Sequence, residues 1–200
     1  MTIDAHPLGR RERNKQEKLE RITAAAAELF AEHGIDDVTT QQIAERADVG
    51  TGTLFLYAKT KGELLLLVQN AHYAIALTKG IDASAAVAGT LDAVMALLRP
   101  IIECNRVQVD NGRTYLREMV FGATDDAHHS EALGIVADTE AAVAAILRRD
   151  RGTGEDRAAT LARIVSAIMF LTMSAGPHVG STVDEIAQDV RMQIAALLDS

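Results

Sequence analysis

The chain has 200 residues, 48% of them apolar, with no Trp and a single Cys. That is enough to bury one sizeable core, and the dominance of Ala and Leu over β-branched and aromatic residues favours an all-α fold over sheets. A net charge of −8 excludes indiscriminate polyanion binding, and the lone Cys104 excludes an internal disulfide.

With no signal peptide at the N-terminus, the expected compartment is a reducing cytoplasm. The longest apolar run, Ile164 to Ala175, follows Arg163 and is too short to cross a bilayer. Charge is unevenly spread. Residues 1–62 carry nine Lys/Arg and ten Asp/Glu, and residues 63–200 carry eleven and eighteen. Within Arg10–Arg21 six basic residues face three acidic ones, a local basic stretch on an acidic protein.

In chain order, residues 1–9 read as a flexible lead with Pro7 and Gly9. A helix is predicted from about Asn14 to Glu32, with Leu19, Ile22, Ala26, Leu29 and Phe30 on one face and Gly34 as its stop. Thr39 opens the next helix and forms a capping box with Gln42. Ile43, Ala44 and Ala47 supply its inner face. A third short helix is predicted from Gly50 to about Tyr57. Longer helices follow, from Leu64 to about Lys79, Ala85 to Glu103 (with Pro100 as a kink or break), Arg113 to Phe121, His129 to Arg149, Glu155 to Ala175, and Val183 to Leu198. Turns are expected near Gly80, Asn111-Gly112, Gly152-Thr153-Gly154 and Gly176-Pro177.

The stretch Ala47-Asp48-Val49-Gly50-Thr51-Gly52-Thr53-Leu54-Phe55-Leu56-Tyr57 is the most informative. A dinucleotide fingerprint requires a third glycine where Phe55 stands and a preceding strand, and a P-loop requires Gly-Lys-Ser/Thr; neither is present. Helix-turn-helix fits instead: Val49 plugs the turn, Gly50 caps, Leu54 anchors the second helix, and Gly52 lets backbone approach a large partner. Thr51, Thr53 and Tyr57 offer hydroxyls, and Lys59 and Lys61 add charge. Leu56 either packs inward or, if exposed, meets a thymine methyl.

The run Thr39-Thr40, Ile43-Ala44, Ala47 to Tyr57 and Lys61-Gly62-Glu63-Leu64, preceded by Ala25-Ala26, Leu29-Phe30 and His33-Gly34, resembles the N-terminal domain of the tetracycline-repressor (TetR) family over about residues 15–65. The sequence departs from the family pattern at Gly50, usually Ser, at Phe55, usually Tyr, and at Ala58, usually Phe. The resemblance implies an all-α homodimer whose N-terminal domain, residues 1–62, sits in the major groove of a near-palindromic operator. It also implies that residues 63–200 form a dimerisation domain binding a small-molecule effector that lifts the repressor off DNA. Carried over by position, Thr40, Thr51, Gly52, Thr53, Tyr57 and Lys61 are the expected DNA contacts. The alternative for each is a cap, a solvated hydroxyl, a buried ring or a surface charge. Arg10-Arg11-Glu12-Arg13 reads either as an arm along phosphates or as a solvated tail.

In the C-terminal part, Glu155–Ala175 leaves almost no polar face. Small residues Ala137, Ala141, Ala144 and Ala145 on the preceding helix permit close approach, so a dimer four-helix bundle is expected, with a buried central helix as the alternative. His72, Tyr73, Cys104, Tyr115, Glu118, Met119, Phe121, Met169, Phe170 and Met173 are candidate pocket residues. Of these, His72, Tyr115, Met119, Met169, Phe170 and Met173 are chosen as effector contacts, although Met and aromatic residues at helical spacing also read as core. The acidic and His-bearing run Asp125–Glu131 reads as a solvated approach to a helix, because adjacent His side chains diverge; no metal and no cofactor is expected. An all-α enzyme and a partner-binding module without operator recognition remain the alternatives, although no Gly-x-Ser-x-Gly, His-Glu-x-x-His or Cys-x-x-Cys is present.

Overall fold

A computed structural model describes residues 9–122 and 127–199. Among them all regular structure is helical: α1 (Arg10–Asp37), α2 (Thr40–Arg46), α3 (Thr51–Leu54), α4 (Lys61–Ser84), α5 (Thr90–Arg106), α6 (Val109–Phe121), α7 (Ala127–Arg151), α8 (Glu155–Ser174), a 3-10 turn at Gly176–His178, and α9 (Val183–Leu198).

Local signals set several boundaries. Thr39 and Gln42 form a reciprocal capping box at the start of α2, and Thr182 and Glu185 repeat it at α9. Thr60 caps α4 by accepting from the Glu63 amide. Arg148, Arg149 and Arg151 sit in the last turn of α7, where cations favour the helix dipole. Gly34 has φ 76°, a left-handed backbone that redirects the last residues of α1.

Around these ends one continuous core forms. Ile22, Phe30, Ile43, Leu54 and Leu64 are fully buried where α1–α3 meet the start of α4. Leu97, Leu98, Ile102, Tyr115 and Leu147 continue the same core into the body. α4 is the common element, packing against α1, α5, α6 and α7.

Several expectations are corrected. Arg10–Arg13 is helical rather than extended: it forms the exposed first turn of α1. Pro100 does not break α5, which runs through it, because Leu97, Leu98, Ile101 and Ile102 on either side are buried and hold both halves in register. Gly80 is not a turn. It lies buried within α4, where a Cβ would stand 2.1 Å from the Leu97 carbonyl oxygen, so the glycine serves close approach of α4 to α5. Asn111-Gly112 is not a turn either but the start of α6, because the Asn111 side chain pairs with α1 rather than with its own backbone. The apolar segment also looks different as a whole helix. By length and composition α8 could cross a membrane, with mean hydropathy 1.3 over its most apolar window, and only 33% of that window is buried within the chain. Asp125 and Asp126 lie outside the described residues.

Candidate nucleic-acid interface and effector cavity

α2 and α3 form the helix-turn-helix. Ile43, Ala44 and Ala47 face inward, Asp48 takes the left-handed turn at φ 52°, and Val49 packs against the core. The Val49 amide bonds the Ala44 carbonyl across the turn at 3.0 Å. Gly50 caps α3 without a side-chain bond; its carbonyl accepts from the Thr53 and Leu54 amides at 2.8 and 3.2 Å. Helical bonding continues past α3, with the Leu56 amide on Thr53 and the Ala58 amide on Leu54.

Leu54 and Ala58 are buried, so the opposite side of this segment faces out. Thr51 and Gly52 are exposed there, and no atom lies within 4 Å of the position a Gly52 Cβ would take. Thr40, Thr53, Tyr57 and Lys61 are half-buried. Two of these have protein partners. The Tyr57 hydroxyl donates to the Lys15 carbonyl at 3.1 Å, and the Lys61 ammonium donates to the carbonyls of Asp36 and Val38 at 3.2 and 2.9 Å. Lys61 therefore also closes the end of α1. Ala58 fills its buried place with a methyl, and Phe55 is 43% exposed.

The head is gripped from below. Asn111 donates to the Phe30 carbonyl at 2.8 Å and accepts from the Ile35 amide at 2.7 Å, spanning the Gly34 kink. Both bonds are buried.

The effector candidates divide. Tyr115, Met119, Met169, Phe170 and Met173 line a narrow cavity of about 90 Å³ between α4, α5, α6, α7 and α8. His72 does not join them: it lies with Lys79, Glu103 and Cys104 along a separate groove of about 460 Å³ between α1, α4, α5 and the start of α6. Of the other candidates, Tyr73 lines the cavity and Cys104 the groove. Glu118 packs over Gly62, and Phe121 is exposed with its ring edge on Phe170 at 6.5 Å. Thr139 and Ser166 also line the cavity, and Leu98, Ile101, Leu116, Ala132, Ile135, Val136 and Val165 are its remaining apolar members. Sequence reasoning missed them because aliphatic residues at helical spacing read equally as core.

The cavity wall holds a polar chain. The Tyr73 and Tyr115 rings stack at 4.3 Å, and burial raises both phenols well above their usual range, so both stay neutral. Tyr115 donates to Asn70 Oδ1 at 3.0 Å. The Asn70 amide donates to the His128 carbonyl and to Glu131 Oε2, each at 2.9 Å. His128 Nε2 in turn lies 3.3 Å from the Tyr57 carbonyl, at the end of the helix-turn-helix. His128 and Glu131 are thus engaged structurally, and no group of three His, Cys, Asp or Glu able to hold a metal is found among the described residues.

Known proteins place this arrangement. Residues 22–68 match the model of the bacterial regulatory proteins of the tetR family, a span that covers α2, α3 and their flanks. The chain is similar in structure to Thermus thermophilus FadR, a TetR-family transcriptional repressor solved with lauroyl-CoA. The TM-score is 0.71 at 23% identity, over 90% of this chain and 93% of that one. A TetR transcriptional regulator from Rhodococcus sp. RHA1 gives 0.66 at 18% identity, over 92% and 97%. AibR, solved with isovaleryl coenzyme A and operator DNA, gives 0.58 at 13% identity, over 88% and 97%. No curated protein matches the chain. Residues 22–68 thus match the N-terminal domain of the tetR family of bacterial regulatory proteins, and the chain as a whole has the fold of TetR-family regulators.

Proposed function

We propose that the protein is a repressor that binds a near-palindromic operator as a homodimer and is released by a small-molecule effector. Residues 1–62 are the DNA-binding head, and residues 63–200 bind the effector and dimerise. The observation that carries this reading is the outward side of the helix-turn-helix. Thr51 and the bare backbone of Gly52 lie open there, with Thr53, Tyr57, Lys61 and Thr40 of α2 around them. These are the DNA-contacting residues of the proposal. In this role Lys61 turns its ammonium from the α1 carbonyls toward a phosphate.

The homodimer is supported by α7 and α8. They pack on each other and leave Leu133, Ala137, Ala141 and Ala145 of one and Ile164, Ala167 and Leu171 of the other exposed. This stripe of small and apolar side chains fits the same stripe on a second copy in a four-helix bundle. Cover of that kind also accounts for the apolar surface of α8 in a protein working in the cytoplasm.

The effector is proposed to enter the cavity lined by Tyr115, Met119, Met169, Phe170 and Met173. The lining is almost wholly apolar, which suits the acyl part of a ligand such as those bound by FadR and AibR. At about 90 Å³ the space is small beside the ~300–1,000 Å³ of ordinary ligand sites, so an occupant larger than a short acyl group must part the helices. Parting them disturbs the Tyr115–Asn70–His128 chain that ends at Tyr57, which gives binding a route to the head.

Selection of bound duplexes from a randomised pool tests the reading. One near-palindrome should be enriched, with affinity falling steeply as salt rises, and light scattering should give a dimer at micromolar concentration. Isovaleryl-CoA and lauroyl-CoA are then the first effectors to titrate against the complex. Recovery of no preferred duplex, or of a monomer, overturns the reading.

A further inference from the structure

Leu56 is 83% exposed and Phe55 beside it is 43% exposed. A single exposed leucine is ordinary on a protein surface; its position here gives it meaning. Leu56 falls four residues after Gly52, so the two share one side of the helical segment, a turn apart. That side is opposite to the buried Leu54 and Ala58, and it is the side on which Gly52 leaves space for a large partner. The apolar pair is therefore continuous with the surface that carries Thr51 and Gly52.

Double-stranded DNA offers this surface little that is apolar. Phosphates, sugars and most base edges present charge, donors or acceptors. The exception in the major groove is the C5-methyl group of thymine. Docked against any other base edge, Leu56 would cover polar atoms without replacing their hydrogen bonds to water, which disfavours the complex.

We propose that Leu56 is a specificity-determining residue that reads a thymine through its C5-methyl group, fixing one thymine in each operator half-site. The inference rests on the DNA-binding reading above and adds to it a base and an atom. It also gives a role to the departure at Phe55: with a ring in place of a phenol, the neighbouring side chain adds apolar surface and no competing donor.

The test uses the full-length protein and the duplex selected from the randomised pool. Each thymine is replaced in turn by deoxyuridine, which removes the methyl and leaves the hydrogen-bonding edge intact. At one symmetric position the replacement should weaken binding about fourfold per half-site and about sixteenfold when both half-sites are changed, the value of one buried methyl taken once and twice. Leu56→Ala should bind thymine and deoxyuridine duplexes equally at that position. Its melting temperature should match the wild type, because the side chain supports no core. Wild-type protein indifferent to deoxyuridine everywhere overturns the inference and leaves operator binding standing. Discrimination that survives in Leu56→Ala also overturns it, since another side chain then holds the methyl. A pool that yields no preferred duplex removes the DNA-binding reading itself, and this inference with it.

Discussion

Asn111→Ala separates the grip on the head from the rest of the fold. The Asn111 side chain is buried, and it satisfies the Ile35 amide at 2.7 Å and the Phe30 carbonyl at 2.8 Å, on either side of the left-handed Gly34. Truncation leaves both groups without these partners, in a place where the packed junction keeps water out. A buried polar group left unpaired costs about 1–3 kcal/mol, so two give ~2–6 kcal/mol. For a chain of this size that lowers the melting temperature by ~4–24 °C. Urea titration followed by circular dichroism gives the free energy, and hydrogen exchange locates it: the Ile35 amide should exchange far faster in the variant. Asn111→Asp keeps the acceptor for Ile35 but sets a carboxylate against the Phe30 carbonyl, so it should not restore stability. A loss below about 1 kcal/mol in Asn111→Ala, with Ile35 protection unchanged, refutes the argument that this side chain holds the kink.

Gly80→Ala would put a Cβ 2.1 Å from the Leu97 carbonyl oxygen, so α4 and α5 must separate; a loss of about 2–3 kcal/mol in urea titration is expected, against a gain if the helix alone mattered. Tyr115→Phe removes the bond to Asn70 Oδ1 and should cost about 1–2 kcal/mol, with faster amide exchange in the first turn of α7. Burial pushes the Cys104 thiol up to about 11, with Lys79 pulling the other way. Native alkylation by iodoacetamide should therefore climb about tenfold per pH unit from 8 to 10, and unfolding at pH 8 should raise it ~100-fold. The fold favours the protonated thiol, so the stability this group contributes is full below its unfolded pKa and is lost as pH rises through about 11.

Legibility followed the range of the interaction. The capping box at Thr39 and the full extent of α9 could be read directly, because donor, acceptor and apolar spacing all lie within a few residues. Gly80 and Asn111-Gly112 were misread as turns. Their composition favours turns locally, and only contacts with Leu97, Phe30 and Ile35, far off in sequence, keep them helical. The same limit split the effector residues. His72 and Tyr73 are neighbours in sequence, yet one faces the groove and the other the cavity, and helical spacing alone does not say which side of α4 each partner helix will cover. For Leu56 the sequence left two places open, and the structure puts it outside.

The close seating of Gly80 on Leu97 has a mechanical consequence. It joins the far half of α4 to α5 with little room to slide, while the near end of α4 starts at Lys61, pinned to the end of α1. Gly80 stands nineteen residues after Lys61, a rod ~29 Å long at 1.5 Å per residue. A tilt of only ~5° at the α5 end would swing the other end by ~2.5 Å over that length. Leverage of this kind turns a sub-ångström adjustment among the body helices into a displacement of a few ångströms at the helix-turn-helix.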